Sequence, residues 1–203
     1  YSMNGEDIFI NNYFKNKTGF YVDVGAYHPL ELNNTCLLNK RGWNGINIDI
    51  NALSIDYFNF LRPNDVNINI AASNKKTIKT IYYQKKKSPL NTLKITQAKK
   101  MFIGNIKKRK VKSKTLSKII DNTKFKGKKI NFLNIDTEGS DLEILKKLNF
   151  KKYKPELICV ELVDSFNPNS KIIKKNKIYK FLVNKKYKLL WSGHFSHIFK
   201  AMR

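Results

Sequence analysis

Acidic residues stand at or near the ends of four short apolar stretches in this 203-residue sequence: Asp23, Asp49, Asp136 and Glu161. Short runs rich in Val, Ile, Tyr and Phe are typical of β-strands. The carboxyl ends of parallel strands meet at one edge of a sheet, where open α/β sheets bind their ligands. Any one of these acids alone is more simply a surface or capping residue. Because four share this position, we expect them to converge in one crevice.

The stretch at residues 20–26, FYVDVGA, places the first of these acids beside a glycine. Its aromatic and β-branched residues favour an extended backbone, and Gly25 then allows a tight turn. A glycine here lets a ligand approach the main chain, above the N-terminus of any helix that follows. An ordinary buried strand with a glycine turn gives the same pattern. Taken alone, the stretch indicates a ligand-binding turn and an ordinary buried strand equally well.

Asp49 follows Gly25 by about one strand–helix–strand unit. An acid at this offset accepts hydrogen bonds from ribose hydroxyl groups in nucleotide-binding sheets. A dinucleotide would need three spaced glycines to seat its pyrophosphate, whereas this turn has one glycine and continues into His28 and Pro29. The pattern therefore favours a ribose-containing cofactor without a pyrophosphate, and S-adenosylmethionine is such a cofactor.

The elements that must position these acids alternate between strands and helices. Apolar periodicity predicts strands at residues 20–26, 46–50, 66–71, 77–83, 130–136 and 157–162, and a hairpin from 187–191 and 195–200. It predicts helices at 2–14, 30–41, 52–61 and 170–185, and another after Ser140. Ser2 or Asn4 is expected to cap the first helix, and Ser140 with Glu143 has capping-box spacing. This alternation predicts an α/β fold with a mostly parallel sheet, and the length predicts a single domain over residues 1–203.

Composition is that of a globular protein, with 41% apolar residues. No run approaches the ~18 apolar residues of a membrane span, and no signal peptide is visible, so we expect no transmembrane segment. Cys36 and Cys159 lie in apolar surroundings, which predicts buried free thiols in a reducing compartment. These features predict a cytoplasmic protein. They leave its oligomeric state open.

The net charge of +25 is concentrated in a lysine-rich insert at residues 84–129, which holds 17 basic residues and one acid, Asp121. The insert has apolar patches at 93–103 and 116–120 but no clean strand pattern, so we expect a long loop. Nucleic-acid binding is not specifically indicated, because Arg109 is its one arginine and Phe102 and Phe125 its only aromatic residues. The charge should concentrate anions, and it predicts a phosphorylated acceptor or an anionic polysaccharide, although a solvated surface would carry the same lysines.

Several motifs in order resemble the FkbM family of S-adenosylmethionine-dependent methyltransferases. They are residues 20–26 (FYVDVGA), Asn34-Thr35, 42–49 (GWNGINID) and 132–139 (FLNIDTEG), with 4–7 (NGED) and 157–161 (LICVE) in support. The resemblance covers nearly the whole chain. It implies a Rossmann-like, class I methyltransferase sheet of seven strands with an antiparallel last strand. It also implies O-methylation, often of sugars in polysaccharides, glycolipids or glycosylated natural products.

The resemblance also assigns roles to individual residues. It places the turn that contains Asp23, Gly25 and Ala26 at the methionine end of the cofactor. It gives the ribose hydroxyls to Asp49 and the neighbourhood of the adenine to residues 69–72, which include Ala71 and Ala72. Asp136, Glu138 and Gly139 would line the reaction centre, where Asp136 would also contact the cofactor.

A sugar hydroxyl needs its proton removed as it attacks a methyl group, so the site needs a base. The candidates are His28, Asp136, Glu138 and His194, and a purely structural turn histidine is an equal reading of His28. Alternatively, Asp136 and Glu161 could hold Mg²⁺ or Mn²⁺, which would acidify the hydroxyl. Two further classes fit parts of the pattern. The charge argues for a nucleic-acid methyltransferase, and the single glycine argues for a non-catalytic domain on a methyltransferase scaffold.

Overall fold

The computed structural model describes residues 2–85, 88–162 and 170–202. The helices are α1 (Glu6–Tyr13), α2 (Cys36–Lys40), α3 (Ala52–Leu61), α4 (Ile95–Met101), α5 (Leu116–Asp121), α6 (Asp141–Lys147), α7 (Ser170–Lys175) and α8 (Lys177–Asn184). The strands are β1 (Phe20–Val24), β2 (Asn44–Asp49), β3 (Val66–Asn69), β4 (Ala71–Ala72), β5 (Thr77–Tyr83), β6 (Lys107–Lys114), β7 (Phe132–Ile135), β8 (Leu157–Glu161), β9 (Tyr187–Ser192) and β10 (Ser196–Ala201).

The main sheet has seven strands in the order β3-β2-β1-β7-β8-β10-β9. The pairings from β3 through to β8 are parallel, and β10 runs antiparallel to both of its neighbours. The predicted α/β fold with a mostly parallel sheet is therefore confirmed, as is the reversal of the last strand. This order places β1 centrally, between β2 and β7, so the acids that follow these strands share one edge.

Both faces of the sheet are buried, as expected for parallel strands covered by helices. In β1, Phe20, Val22 and Val24 belong to the larger apolar cluster, which also contains side chains of α5, α6 and α8. Tyr21 points to the opposite face and packs in a second cluster with Trp43 and side chains of α1 and α2. Because successive strand residues alternate between faces, the polar residue Asp23 lies on the same face as Tyr21.

A second, three-stranded sheet has the order β4-β6-β5, and its central strand lies inside the lysine-rich insert. The expectation of a long loop without a clean strand is therefore wrong for this part of the insert. β6 pairs antiparallel with all seven residues of β5 and parallel with β4. Its pattern was hidden because lysine or arginine occupies positions on both faces, and Val111 and Ser113 alone are buried within the strand.

The apolar patches of the insert also form helices. The patch at 116–120 becomes α5, whose buried Leu116, Ile119 and Ile120 join the larger core cluster. The patch at 93–103 contains α4, of which Ala98 is fully buried. The insert is therefore anchored to the rest of the protein at several points.

Several predicted element boundaries were wrong. The helix expected at 30–41 is limited to α2, because residues 27–35 form an irregular loop in which Leu32 has a positive φ of 49°. The strand expected at 66–71 ends at Asn69, and Ala71 pairs in the second sheet instead. The helix expected at 170–185 is two helices, and Asn176 caps the second by accepting a hydrogen bond from Ile178 N–H at 2.8 Å.

The predicted helix caps were wrong. The N-cap of α1 is Gly5, with a φ of 88° and no side-chain capping bond, and Ser2 Oγ accepts a hydrogen bond from Asp7 N–H at 3.2 Å from outside the cap position. The capping box of Ser140 and Glu143 does not form, since Ser140 makes no side-chain capping bond. Asp141 accepts hydrogen bonds from Thr137 N–H and Gly139 N–H instead, which fixes the loop in front of α6.

Both cysteines are buried free thiols, as predicted. Among the described residues, none of the helices combines the length and the apolar character needed to cross a bilayer.

Candidate active site

A cavity of about 40 Å³ lies at the carboxyl ends of β1, β2 and β7, which is room for a few water molecules. Four of the predicted site residues line it, namely Gly25, Asp49, Ala72 and Asp136. The other lining residues are Val24, Ile48, Ile50, Ile70, Pro89, Asn91, Leu93 and Thr137. The expected convergence of strand ends therefore occurs for the strands predicted at 20–26, 46–50 and 130–136.

Gly25 is required where it stands for two reasons. Its φ of 81° is a left-handed conformation that side chains disfavour, and a Cβ added there would overlap the carbonyl oxygen of Asp136. The N–H groups of Gly25 and Ala26 both donate to Ile48 O, at 2.9 and 3.2 Å. Because these two donors are already used, they are not available to a phosphate. The turn therefore suits a ligand without a pyrophosphate.

Asp49 is held at the rim of this turn by two backbone bonds. Its Oδ2 accepts from Tyr27 N–H at 2.8 Å, and its Oδ1 accepts from Asn51 N–H at 2.6 Å. Burial raises the pKa of Asp49 to about 6, although these two hydrogen bonds oppose the shift. A carboxylate oxygen can accept more than one hydrogen bond. Asp49 is therefore fixed in orientation and still able to accept a pair of hydroxyl groups.

Asp23 lies underneath the turn and is fully buried. Its Oδ2 accepts from Asn33 Nδ2 and Thr35 Oγ1, and its Oδ1 accepts from Asn134 Nδ2 at 2.9 Å. Burial raises the pKa of Asp23, and these hydrogen bonds counteract it. The carboxylate thus ties the loop after β1 to β7. Its predicted assignment to the cofactor site stays a prediction, in which it acts by shaping the turn.

Arg62 is a residue of this site that the sequence analysis missed. Its buried guanidinium donates to Thr35 Oγ1 at 2.8 Å, to Asn33 Oδ1 at 2.9 Å and to Pro29 O, all in the loop after β1. In the sequence, Arg62 seemed only to end a helix before Pro63. The available signal was its residue type, since arginine is rare among the 40 basic residues of this chain.

The acids near the ends of β7 and β8 perturb one another. Asp136 has part of its surface exposed to solvent at the crevice, but protein atoms surround its carboxyl group closely enough to desolvate it. This desolvation and the nearby charges of Glu161 and Asp141 raise the pKa of Asp136 well above the usual range. Burial raises the pKa of Glu161 to about 7, and the charges of Glu138 and then Asp141 add to this shift. The Oε2 atom of Glu161 is buried and has no hydrogen-bond partner among the described residues.

Glu138 combines a shifted pKa with an unusual backbone conformation. Burial, followed by the charges of Asp136 and Asp141, raises its pKa to about 8. Its φ of 51° lies in the left-handed region, where a residue with a side chain is strained. Strain of this kind persists where the surroundings impose it, and here the hydrogen bonds of Asp141 hold the loop. Burial and its acidic neighbours therefore favour the protonated form of Glu138.

Neither of the predicted histidines, His28 and His194, lines the cavity. His28 is buried, and its Nδ1 accepts from Leu30 N–H at 3.3 Å and Glu31 N–H at 3.1 Å, which suits a neutral ring with its proton on Nε2. The His194 ring packs edge-on against Phe195, 4.4 Å between ring centroids, in the C-terminal hairpin. A role of either histidine as base stays a prediction.

The metal prediction finds no support in the described residues, where no three His, Cys, Asp or Glu side chains are grouped as metal ligands. Asp136 and Glu161 interact electrostatically, but a third ligand is missing from the part of the chain that the structure describes. No step proposed below depends on a metal.

Residues 88–94, here called the strap, form one wall of the cavity. Pro89, Asn91 and Leu93 line it, and Thr92, which is fully buried, exchanges two backbone hydrogen bonds with Tyr82 of β5. The strap is fastened to the loop after β7, where Thr92 Oγ1 donates to the Glu138 carbonyl oxygen at 2.9 Å. Sequence analysis missed these contacts, because they join segments far apart in the chain.

Lys94, the last residue of the strap, makes the second attachment to this loop. Its Nζ donates to Gly139 O and forms an ion pair with Glu143 at 3.5 Å. The wall and the loop that carries Glu138 are therefore joined at two points.

A family model described as the methyltransferase FkbM domain matches residues 23–189. The match runs from the end of β1 into β9 and includes every residue that lines the cavity. Searches of curated proteins and of solved structures gave no match.

Proposed function

Because this chain belongs to the FkbM methyltransferase domain family, we propose that it is an S-adenosylmethionine-dependent O-methyltransferase that acts on a sugar hydroxyl. The observation that carries the proposal is the placement of Asp49 and Asp136 around one cavity, with Gly25 between them. One acid is suited to a ribose and the other adjoins a second carboxyl group of raised pKa, Glu138. A donor and an acceptor can thus meet in a single crevice.

The residues present fit S-adenosylmethionine. Asp49 offers two oriented oxygens to the ribose hydroxyls, and the apolar side chains of Ile50, Ile70 and Ala72 offer a surface for the adenine. The turn at Gly25 has no free donors for a pyrophosphate at its first two N–H groups. When bound, the cofactor supplies a methyl group on a positively charged sulfur. The carboxyl groups of Asp136, Glu138 and Glu161 supply negative charge to complement it.

The residues of this chain then have three tasks. The turn at Gly25 and the strap hold the donor and exclude water, which keeps the reacting atoms aligned. Glu138 accepts the hydrogen bond of the acceptor hydroxyl, and the neighbouring charge of Asp136 raises the pKa of Glu138. Glu138 then takes the proton of this hydroxyl at a carboxylate oxygen, since a base with a pKa near the working pH is the most effective.

A sugar hydroxyl is the acceptor that best suits this arrangement, because carboxylates recognise hydroxyl groups through hydrogen bonds. The acceptor would belong to a polysaccharide, a glycolipid or a nucleotide-linked sugar, as in the resemblance noted above. The acidic reaction centre favours a neutral hydroxyl over an anionic group at the point of methyl transfer.

The proposal is tested first by calorimetry with S-adenosylmethionine and S-adenosylhomocysteine. Absence of binding would indicate a non-catalytic domain. Transfer of a labelled methyl group is then measured to a panel of neutral and acidic saccharides, with RNA as a comparison. Label in RNA and not in any saccharide would replace the proposal by a nucleic-acid methyltransferase.

A further inference from the structure

A second cavity, of about 300 Å³, adjoins the first. It is lined by Asn51, Leu53, Tyr83, Asn91 and Arg109. Asn91 lines both cavities, and Asn51 follows the end of β2 directly. The volume is at the lower end of the range for small-molecule sites. The second cavity is therefore a separate subsite that opens beside the cofactor crevice.

Arg109 gives this subsite its charge. It lies on β6, on the same face as Val111 and Ser113, which are the buried residues of that strand. Its Nη2 donates to Ile50 O at 2.7 Å, and the centre of its guanidinium lies 5.8 Å from the Tyr83 ring. A guanidinium has five N–H donors, so a single bond to Ile50 leaves others for a ligand. These contacts hold the charged group in place at the cavity.

The other lining groups are suited to a carbohydrate. The Tyr83 ring offers an apolar face, and Asn91 adds an amide whose Nδ2 is bonded to Ser88 O at 2.7 Å. A guanidinium binds carboxylate and phosphate groups through paired, charge-assisted hydrogen bonds. The combination of one arginine, one aromatic ring and amides therefore matches an acidic sugar or a sugar phosphate.

We propose that this second cavity binds the anionic group, carboxylate or phosphate, of the methyl acceptor. The inference rests on the proposed function and specifies its substrate class. The anionic group is placed here because Arg109 supplies a positive charge at this cavity, whereas the reaction centre holds the carboxyl groups of Asp136, Glu138 and Glu161. The ends of β2 and β7 are separated by β1 and so lie roughly 10 Å apart at the usual strand spacing, and the subsite lies beyond the end of β2. The anionic group thus lies away from the hydroxyl that is methylated.

The test uses glucose 1-phosphate, glucuronate and neutral glucose as probes, and measures their binding by calorimetry with S-adenosylhomocysteine present at saturation. The two anionic probes distinguish a phosphate from a carboxylate. At least one of them should bind more tightly than glucose. Arg109→Gln should weaken that binding by at least about tenfold, because a charge-assisted hydrogen bond is lost. Arg109→Lys should recover it in part, since it keeps the charge but not the paired donors.

Lys108→Gln is the matched control. It removes the same charge from the neighbouring position of β6, whose side chain points to the opposite face of the sheet. It should change the affinity less than Arg109→Gln, most clearly at high salt, where general attraction is screened. Equal effects of the two substitutions, or equal binding of all three probes, would overturn the subsite.

The outcome is separable from that of the proposed function. If S-adenosylhomocysteine displaces the anionic probe, the cavity belongs to the cofactor site and the inference is wrong, while the methyltransferase proposal stands. If the cofactor does not bind, the proposed function fails, and the probes then test the anion site alone.

Discussion

The hydroxyl of Thr92 donates a hydrogen bond to the carbonyl oxygen of Glu138 at 2.9 Å, which connects the strap to the loop that carries a candidate base. Thr92 Oγ1 also accepts a hydrogen bond from Lys94 N–H at 3.1 Å. One buried side chain thus links a wall of the cavity to its reaction centre.

Thr92→Val keeps the size of the side chain and removes both hydrogen bonds. We expect S-adenosylhomocysteine to dissociate about 2- to 10-fold faster, because the strap loses a stabilisation of about one net hydrogen bond. Stopped-flow measurement of the dissociation rate constant checks this. Thr80→Val is the control, because Thr80 is a half-buried residue of β5 whose hydroxyl accepts a solvent-exposed hydrogen bond from Lys110. A dissociation rate that is unchanged in the Thr92 variant would mean that the strap does not retain the cofactor.

Asp49→Ala should weaken S-adenosylmethionine binding by about 10- to 150-fold, which corresponds to about 1.5–3 kcal/mol for hydrogen bonds to a charged group. The affinity of the unmodified protein should also fall as the pH decreases below about 6, because protonation of Asp49 removes an acceptor. Calorimetry over a pH series measures both effects. Asp56→Ala, at an exposed position of α3, should leave the affinity unchanged. Equal affinity of the Asp49 and Asp56 variants would remove Asp49 from the cofactor site.

Glu138→Gln should lower turnover by about 10²- to 10⁴-fold with little change in cofactor affinity, which is the usual effect of losing a general base. At low substrate concentration, turnover of the unmodified protein should rise as the pH increases through about 8, since the base works only when deprotonated and this pKa is that of the free protein. Asp136→Asn should lower turnover as well and, if Glu138 remains the base, move the rise to lower pH, because the charge of Asp136 raises the pKa of Glu138.

Glu31→Gln, at an exposed position of the loop after β1, is the control for these two variants and should keep full turnover. Full turnover in both the Asp136 and the Glu138 variants would place the base elsewhere, with His28 as the next residue to test.

Binding of the positively charged donor should release protons at pH 7.5. A cation near Glu138 and Glu161 favours their ionised forms and so lowers pKa values that are about 8 and about 7 in the free protein. Calorimetry in buffers of different ionisation enthalpy measures the number of protons released. S-adenosylhomocysteine, which lacks the positive sulfur, should release fewer. If both ligands released the same number of protons, the sulfur would not lie near these carboxyl groups.

Gly25→Ala should destabilise the protein more than Gly42→Ala. Both glycines have a φ near 80°, where a side chain costs about 1–2 kcal/mol. A Cβ at position 42 meets nothing within 4 Å, whereas one at position 25 overlaps the Asp136 carbonyl oxygen. The free energies of unfolding from urea titration give the comparison. Equal losses would mean that the backbone contact between β1 and the loop after β7 can relax without cost.

The sequence was sufficient where local pattern and chain order agree. The apolar runs at β1, β2, β7 and β8 were visible because these strands are buried on both faces. Once they were recognised, the right-handed connection rule placed Gly25, Asp49 and Asp136 at one edge. All three residues line the same cavity, and their functional roles stay a prediction.

The parts of the site and fold that the sequence did not predict depend on contacts between residues far apart in the chain. Nothing local to Arg62 indicates that it reaches Thr35, and nothing local to Thr92 indicates that it bonds to Glu138. β6 was not recognised in the sequence because most of its side chains are exposed to solvent, where lysine is tolerated. Its location was set by pairing with β5, which a single sequence does not reveal.

The contact between Gly25 and Asp136 has an evolutionary consequence. The floor of the crevice is backbone packed against backbone, so it leaves no freedom for a different side chain. The strap and β6, by contrast, are attached to the loops after β7 and β2 through side chains such as Thr92, Lys94 and Arg109, which can be exchanged one at a time. Divergence within the insert can therefore change the walls of the crevice, while its backbone floor is retained.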